Sequence, residues 1–542
     1  MLNNLKLTYV ILAAAILVNF SGLFITIIGS DGTLYASIAK TMALHNNYSD
    51  LFVTGKDWLD KPHLPFWLTA FFFEIFGIHT WSYKLPGILC MMMGVFYTYR
   101  FAKELYNKET ALWAAIILLT AEHIILSNND VRAEPYLTGF IIAAIYHFYR
   151  TLHYKSSWHL VAGAFFTALA IMTKGMFALI PVAAAIGGEI MMKNRWKELL
   201  HARWLAAAAL ILLFITPELY CLYNQFDQHP EKTVFGRQGV SGLYFFFWDS
   251  QFGRFFNTGP IKGKGDKSFF LHTTLWAFLP WSLLLYAALT QWFRKHFRDA
   301  RRHEWYCFFG SLATFLLFSL SRFQLPHYLN IVFPLFAIIT AQYLFSLRSR
   351  TTLRAVNITQ LVQAVLLVVL AMVIFWFFKP DTVSIEGIGL MVLTFAAILV
   401  IPAATLLQKA LYRTALTAIF VNIFLNMIFY PNLLQYQSGS EAARWINKNH
   451  KGVPVVQFAA DKYSYALEFY LDEPLIICDS NGQLPKKPFL VYHQAPLPIE
   501  DTGAVKLLKE WSDYPISRLT PKFLNKATRG EKTGVFKVVR VE

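Results

Sequence analysis

The stretch YVILAAAILVNFSGLFITIIGSD, residues 9–31, decides the class of this protein. Tyr9 to Ile28 is predominantly apolar and carries no charge, and it is long enough to cross a hydrocarbon core of roughly 30 Å. It is too long for the hydrophobic part of a signal peptide and lacks a small-residue cleavage site, so it reads as a retained helix. The run ends on Gly-Ser-Asp, which sets Asp31 at the membrane boundary. An ionisable group there is a functional candidate, and it also suits the N-cap of a following helix, since Leu34, Ile38 and Met42 recur as on an amphipathic interfacial segment.

The same pattern extends outward along the chain. Of 542 residues, 56% are hydrophobic and 15% charged, against about 25% charged in soluble domains; mean hydropathy is +0.41. Further apolar runs lie at 84–101, 110–127, 134–150, 158–173, 176–192, 203–222, 269–292, 304–321, 326–347, 355–379, 384–408 and 411–433. Pro65 to Ile78 is shorter, carries Glu74 and follows a proline-rich segment, as an interfacial helix does. With that helix on the surface, every strongly basic connection falls on the side of the N-terminus, which the positive-inside rule makes cytoplasmic. These connections are Arg100/Lys103/Lys108, Arg150/Lys155, Lys193/Arg195/Lys197/Arg203, Arg294/Lys295/Arg298/Arg301/Arg302, Arg348/Arg350/Arg354 and Lys409/Arg413. The net charge of +16 is therefore membrane-loop charge and does not mark a nucleic-acid partner. Cys90, Cys221, Cys307 and Cys478 show neither metal spacing nor a disulfide framework.

The expected architecture is a polytopic α-helical membrane unit of thirteen spans over residues 1–434, with a soluble α/β domain over 435–542 on the outer side. In that tail, helices are predicted at Glu441–Asn449, Ser464–Leu471 and Asp501–Trp511, and strands at Pro454–Phe458, Leu475–Cys478, Phe489–Tyr492 and Gly534–Val541. No internal repeat, Walker motif or dinucleotide motif is present.

The outer segments hold the polar residues that look out of place at membrane depth. Asp60-Lys61-Pro62 lies in a charged, proline-rich stretch just before the interfacial helix. A lysine held rigidly at headgroup level suits a lipid phosphate, or it anchors the chain by snorkelling. Asp130 and Glu134 flank Arg132 ahead of Pro135, which can start a helix; they are either site acids or a structural ion pair with that arginine. Thr173-Lys174-Gly175 is a polar turn, Asp249 and Arg254 stand among aromatics, and Arg322, His327 and Tyr328 mark the outer end of two spans. Acids and cations thus gather on one face, as an anionic lipid substrate beside a carboxylate catalyst requires.

Taken in order, these pieces resemble the GT-C superfamily of polyprenyl-phosphate-dependent glycosyltransferases. Within it they look like the aminoarabinose lipid A transferase-like family, related to protein mannosyltransferases. The matching elements are Asp31-Gly32-Thr33-Leu34-Tyr35, Asp60-Lys61-Pro62, Tyr83-Lys84-Leu85-Pro86, Glu134-Pro135, Thr173-Lys174-Gly175, Gly253-Arg254-Phe255, Phe278-Leu279-Pro280-Trp281 and Leu325-Pro326-His327-Tyr328. The resemblance implies a catalytic carboxylate at Asp31 and a second acid at Glu134, where the family usually has aspartate; Asp130 is the rival for that place. It implies donor-phosphate binding by Lys61, Arg254 and Tyr328, with Lys174 and His327 beside them. It also sets Asp60 and Asp249 where some relatives hold a divalent metal ion. The implied partners are a sugar carried on undecaprenyl phosphate, lipid A or another envelope glycan as acceptor, and membrane lipids. The implied setting is a monomer in a bacterial inner membrane with its site on the periplasmic side. A protein acceptor, as in O-mannosylation, is the alternative. A transporter or flippase would instead concentrate polar residues at mid-membrane.

Overall fold

The structure is a computed structural model that describes residues 2–154, 156–295, 303–478, 484–497 and 505–542. Lys155, Arg298, Arg301 and Arg302 of the basic connections lie outside the described residues, as does the 501–504 part of one expected helix. The first half of the chain is a succession of helices: α1 (Leu2–Phe20), α2 (Gly29–His45), α3 (Leu64–Phe76), α4 (Thr80–Leu105), α5 (Lys108–Leu119), α6 (Glu122–Asn129), α7 (Glu134–Tyr154) and α8 (Ser157–Lys174). The expected helix at Pro65 to Ile78 forms over Leu64–Phe76, and this α3 packs on α2 and α4.

Thirteen uninterrupted spans is an overcount. Among the described residues four helices are long and apolar enough to cross a membrane: Thr80–Leu105, Pro326–Ser346, Arg350–Phe378 and Leu406–Tyr436. The number rises to six if two bent pairs each count as one span, Lys108–Leu119 with Glu122–Asn129 (52°) and Arg203–Phe214 with Thr216–Asp227 (42°). Several other apolar runs form helices of 10–17 residues, among them Tyr306–Leu320 and Ile385–Val400. The run expected at 269–292 is split into Phe269–Ala277 and Ser282–Lys295 around Pro280, whose ring cannot continue the helical hydrogen-bond ladder. Hydropathy registers apolar length but not these interruptions.

Small residues bring the bundle together. A Cβ on Gly139 of α7 would lie 2.2 Å from the Cys90 carbonyl oxygen of α4, so the two backbones touch there, as close crossings of membrane helices require. Above this crossing, Lys84 of α4 is fully buried. Its Nζ donates to the carbonyls of Gly22 (2.9 Å) and Ile25 (2.7 Å) in the turn that joins α1 to α2. Neighbouring Tyr83 donates its hydroxyl to the Val131 carbonyl at 2.5 Å. The Tyr83-Lys84 pair therefore ties two loops to one helix.

The C-terminal region is a mixed five-stranded sheet of β1 (Val455–Phe458), β2 (Leu475–Cys478), β3 (Phe489–His493), β4 (Val505–Asp513) and β5 (Gly534–Val541), in the order β2-β1-β3-β5-β4. The β1–β2 and β1–β3 pairs are parallel and the other two antiparallel. Helices Ser438–Asn449 and Tyr465–Tyr470 cover it near the predicted positions. The expected helix at Asp501–Trp511 is wrong over its described part: Val505–Asp513 is an edge strand. Its Lys and Glu residues suggested helix, but pairing with β5 and the contact of Trp511 with Trp445 override that local preference.

Replacing Lys84 by methionine keeps the volume and orphans two buried carbonyls, at about 1–3 kcal/mol each. Thermal unfolding of the detergent-solubilised protein, followed by tryptophan fluorescence, will show a clearly lowered midpoint for Lys84→Met; an unchanged midpoint would refute this role.

Candidate active site

Helix α2 starts at Gly29, so Asp31 lies in its first turn, and the residue before the helix makes no side-chain cap. Asp31 is therefore not the cap. Its Oδ2 accepts from Arg132 Nη1 at 2.7 Å, while Arg132 Nη2 donates to Asp130 Oδ2, also at 2.7 Å. Arg132 thus bridges Asp31 and Asp130, and the expected pairing with Glu134 is not what forms. Burial pushes the Asp130 carboxyl up despite the guanidinium, and the two acids hold Arg132 firmly charged against its own burial. Asp31 remains half-exposed, its side chain 53% accessible.

The loop that carries Asp130 and Arg132 is anchored from below by amides. Asn128 Nδ2 donates to Asn19 Oδ1 and Asn129 Nδ2 to Asn426 Oδ1, both at 2.7 Å. Glu134, at the start of α7, is buried and accepts from Lys174 Nζ at 2.5 Å; His327 Nε2 stands 3.7 Å from the same oxygen. Lys174 and His327 both face this acid.

Next to this group is a cavity whose wall includes Asp60, Lys61, Lys174, Arg254 and Tyr328. The structure therefore brings together residues separated by nearly half the chain. Asp60 holds both cations: Lys61 Nζ is 2.6 Å from its Oδ2, and Arg254 Nη2 contacts its Oδ1. Burial opposes the charge on Asp60, but Lys61 and Arg254 outweigh it and lower its pKa. Burial and the Arg254 charge bring Lys61 down to about 8 in spite of Asp60. Lys174 Nζ lies 3.7 Å from the Tyr328 ring centroid and Arg254 5.5 Å from that of Phe323, both cation–π contacts. Arg254 Nε is buried and has no partner among the described residues.

Several residues essential to this geometry gave no signal in the sequence. Glu218 accepts from the backbone nitrogen of His63 (2.9 Å) and pairs with its ring at 3.0 Å, both side chains fully buried. Gln225 clasps the Leu51 backbone and Asp57 Oδ1. Together they fix the segment bearing Lys61. Gln251 holds the Lys174 carbonyl and the Phe177 amide, and a Cβ at Gly175 (φ +97°) would collide with it. Tyr35, one turn beyond Asp31, is buried where the charges of Asp60, Glu134 and Asp31 all act; burial first, then these acids, raises its phenol pKa. Its spacing four residues after Asp31, on the same helix face, was the available clue.

The expected metal pair does not fit a divalent ion. Both Asp60 oxygens are held by cations, Asp249 is not among the residues lining the cavity, and no group of three or more candidate ligands occurs among the described residues.

Residues 60–221 match the dolichyl-phosphate-mannose-protein mannosyltransferase family. An uncharacterised protein of Aquifex aeolicus is 24% identical over 465 residues, 85% of each chain. An undecaprenyl phosphate-alpha-4-amino-4-deoxy-L-arabinose arabinosyl transferase of Erwinia tasmaniensis is 24% identical over 318 residues, 58% of this chain and 54% of that one. The chain thus aligns with about half the length of that arabinosyl transferase. A crystal structure of ArnT from Cupriavidus metallidurans bound to undecaprenyl phosphate shares the fold, with a TM-score of 0.74 at 18% identity over 98% of this chain and 97% of that one. The family segment, the sequence likeness and the shared fold agree: the chain has an ArnT-like fold and is similar to the aminoarabinose arabinosyl transferases and, over residues 60–221, to the protein mannosyltransferases.

Proposed function

We propose that this protein transfers a sugar from a polyprenyl phosphate, undecaprenyl phosphate in a bacterium, to lipid A or a related envelope glycan, with inversion at the sugar carbon. The observation that carries this reading is the cavity where Lys61, Arg254 and Tyr328 converge and the buried Arg254 Nε lacks an acceptor. A buried, unpaired guanidinium N–H is costly, and a phosphate oxygen satisfies it. The name of the arabinosyl transferase and the ligand of the ArnT crystal structure support the same donor class.

In this mechanism an acceptor oxygen attacks the anomeric carbon while the bond from that carbon to the phosphate oxygen breaks. The bonding electrons leave with the polyprenyl phosphate, and Lys61 and Arg254 stabilise the charge that grows on it. Asp31 takes the proton when the acceptor is a hydroxyl and orients the nucleophile when it is already an anion. Glu134 holds Lys174 near the phosphate, and Arg132 aligns Asp31. Residues 1–434 form the catalytic membrane unit and 435–542 its outer support. The protein works as a monomer, with the site on the periplasmic face, opposite the basic loops. A protein acceptor is the second reading, favoured by the family matched at residues 60–221.

Mass spectrometry of lipid A and envelope glycolipids, from cells with the gene, without it and with Asp31→Asn, tests the proposal. A sugar-sized mass will be missing from lipid A in the deletion and the mutant, and transfer by the purified mutant will drop about 10²–10⁴-fold with donor binding retained. Undiminished transfer by Asp31→Asn would sink the catalytic role, and an unchanged lipid profile with altered glycoproteins would move the acceptor to protein.

Lys61 adds a pH signature. It is charged below about 8 and loses its proton above. Affinity for undecaprenyl phosphate will therefore fall as pH rises through that value, by up to about tenfold per pH unit. Lys61→Ala should bind weakly with that pH step gone; a wild-type affinity flat from pH 7 to about pH 9 would contradict the assignment.

A further inference from the structure

A separate cavity lies at the far end of the bundle from the candidate active site. It is walled by the first two turns of α1, of α5 and of the helix Leu406–Phe424, and by the last turn of the helix Phe333–Ser346. The wall is ordered by depth. The first turn of α5 brings Lys108 and Glu109 to the mouth, where both are exposed. One helical turn further in, Leu112 and Trp113 meet Leu411 and Tyr412, and all four are buried. The Trp113 and Tyr412 rings lie 5.8 Å apart between centroids, and Phe345 completes this largely apolar floor. Thr8 and Gln408 add hydrogen-bonding groups to the wall, Thr8 Oγ1 standing 3.3 Å from the Tyr412 hydroxyl.

Helix stability does not account for the pair of charges at the mouth. Glu109 suits the positive end of the α5 dipole, but Lys108, the first residue of that helix, opposes it. The helix is already capped by Asn107, whose side chain accepts from the Thr110 amide at 2.9 Å. Lys108 is drawn across to α1 instead, its Nζ 5.7 Å from the Tyr9 ring centroid. The neighbouring cations Lys6, Lys409 and Arg413 are not part of the wall, so the charges that line the cavity balance. A cation and a carboxylate side by side above an apolar floor match a lipid head that carries both charges. Lys108 meets its phosphate, Glu109 accepts from its primary ammonium, and the acyl chains lie along Leu112, Trp113, Phe345 and Leu411. A glycerol head brings no cation to Glu109, and a choline head has no N–H to donate.

We propose that this cavity binds one molecule of phosphatidylethanolamine from the leaflet at that end of the bundle. The inference does not depend on the transfer reading above. From this cavity α1 runs to Asn19, and the helical stretch Leu406–Tyr436 runs to Asn426. Those two side chains anchor the loop of Asp130 and Arg132, so the lipid braces the helices that hold that loop.

The test uses the full chain, purified in detergent and stripped of lipid. Phosphatidylethanolamine, phosphatidylglycerol and phosphatidylcholine with identical acyl chains are added singly, and native mass spectrometry reads the bound lipid. The expected result is one phosphatidylethanolamine per chain, held about threefold to fivefold more tightly than the other two, as one or two exposed charge pairs allow. Glu109→Gln will erase that preference, and Lys108→Gln will weaken the binding of all three. Leu5→Trp fills the cavity from an exposed lining position and will cost every lipid at least about tenfold, the equivalent of two buried methylenes. An unchanged unfolding midpoint of the lipid-free variants shows that they fold, and if Leu5→Trp does not, Glu109→Gln decides alone. No lipid bound to the wild type, equal retention of the three lipids, a preference that survives Glu109→Gln, or full binding by a folded Leu5→Trp overturns the proposal.

Discussion

Charges withdrawn from water at the end of a membrane bundle persist only when each is matched, and the candidate site is organised by that constraint. Arg132 lies between Asp31 and Asp130, Lys61 and Arg254 share Asp60, and Lys174 is held by Glu134. The ions interleave instead of separating into an acidic and a basic patch. One consequence is chemical: the cations that would meet a phosphate are kept in place by carboxylates before any phosphate arrives, which is preorganisation. Another is mechanical, because the pairs Arg132–Asp31, Lys174–Glu134 and Arg254–Asp60 join segments far apart in the chain and so fix the relative position of the loops that carry them.

The C-terminal region adds a second layer of restraint. Lys40 on α2 donates to the carbonyls of Glu468 (3.1 Å), Phe469 (3.0 Å) and Leu471 (2.5 Å) at the end of the helix Tyr465–Tyr470. A cation at a helix C-terminus also meets the negative end of the helix dipole. Tyr470 accepts from the Ile27 amide, and Gln437 bridges Ile27 and Gly29. The helix that carries Asp31 is thus gripped along its length by the region that follows the membrane bundle. On the other side Lys84 secures the turn before it. Removing the C-terminal region would therefore disturb the position of Asp31 although it supplies no residue to the cavity lined by Lys61 and Arg254.

Much of the candidate site could be read from residue chemistry and position. Asp31, Lys61, Glu134, Lys174, Arg254 and Tyr328 each stood out because a polar group at the edge of an apolar run needs a reason, and the structure gathers most of them at one cavity and the acids beside it. Partners could not be read. An ion pair of Arg132 with Asp130 and Glu134 was one of two readings of that loop; Arg132 does meet Asp130, but its other partner is the distant Asp31. Glu218, Gln225 and Gln251 sit in aromatic-rich stretches where nothing local distinguishes a clasp from a surface amide.

By itself the sequence determined a helical membrane protein, the α/β character of the tail and the residue types of the candidate site, because each depends on local composition and on the period of the pattern. Tertiary structure alone decided how many helices run long enough to cross, since bends and breaks between packed helices are invisible to hydropathy. It turned the Val505–Asp513 segment into a strand, because pairing with β5 is a long-range interaction that outweighs local helix preference. It also chose which acid meets which cation and shaped the cavity beside them, because ion pairing and cavity shape are set by distance in space, which spacing along the chain does not encode.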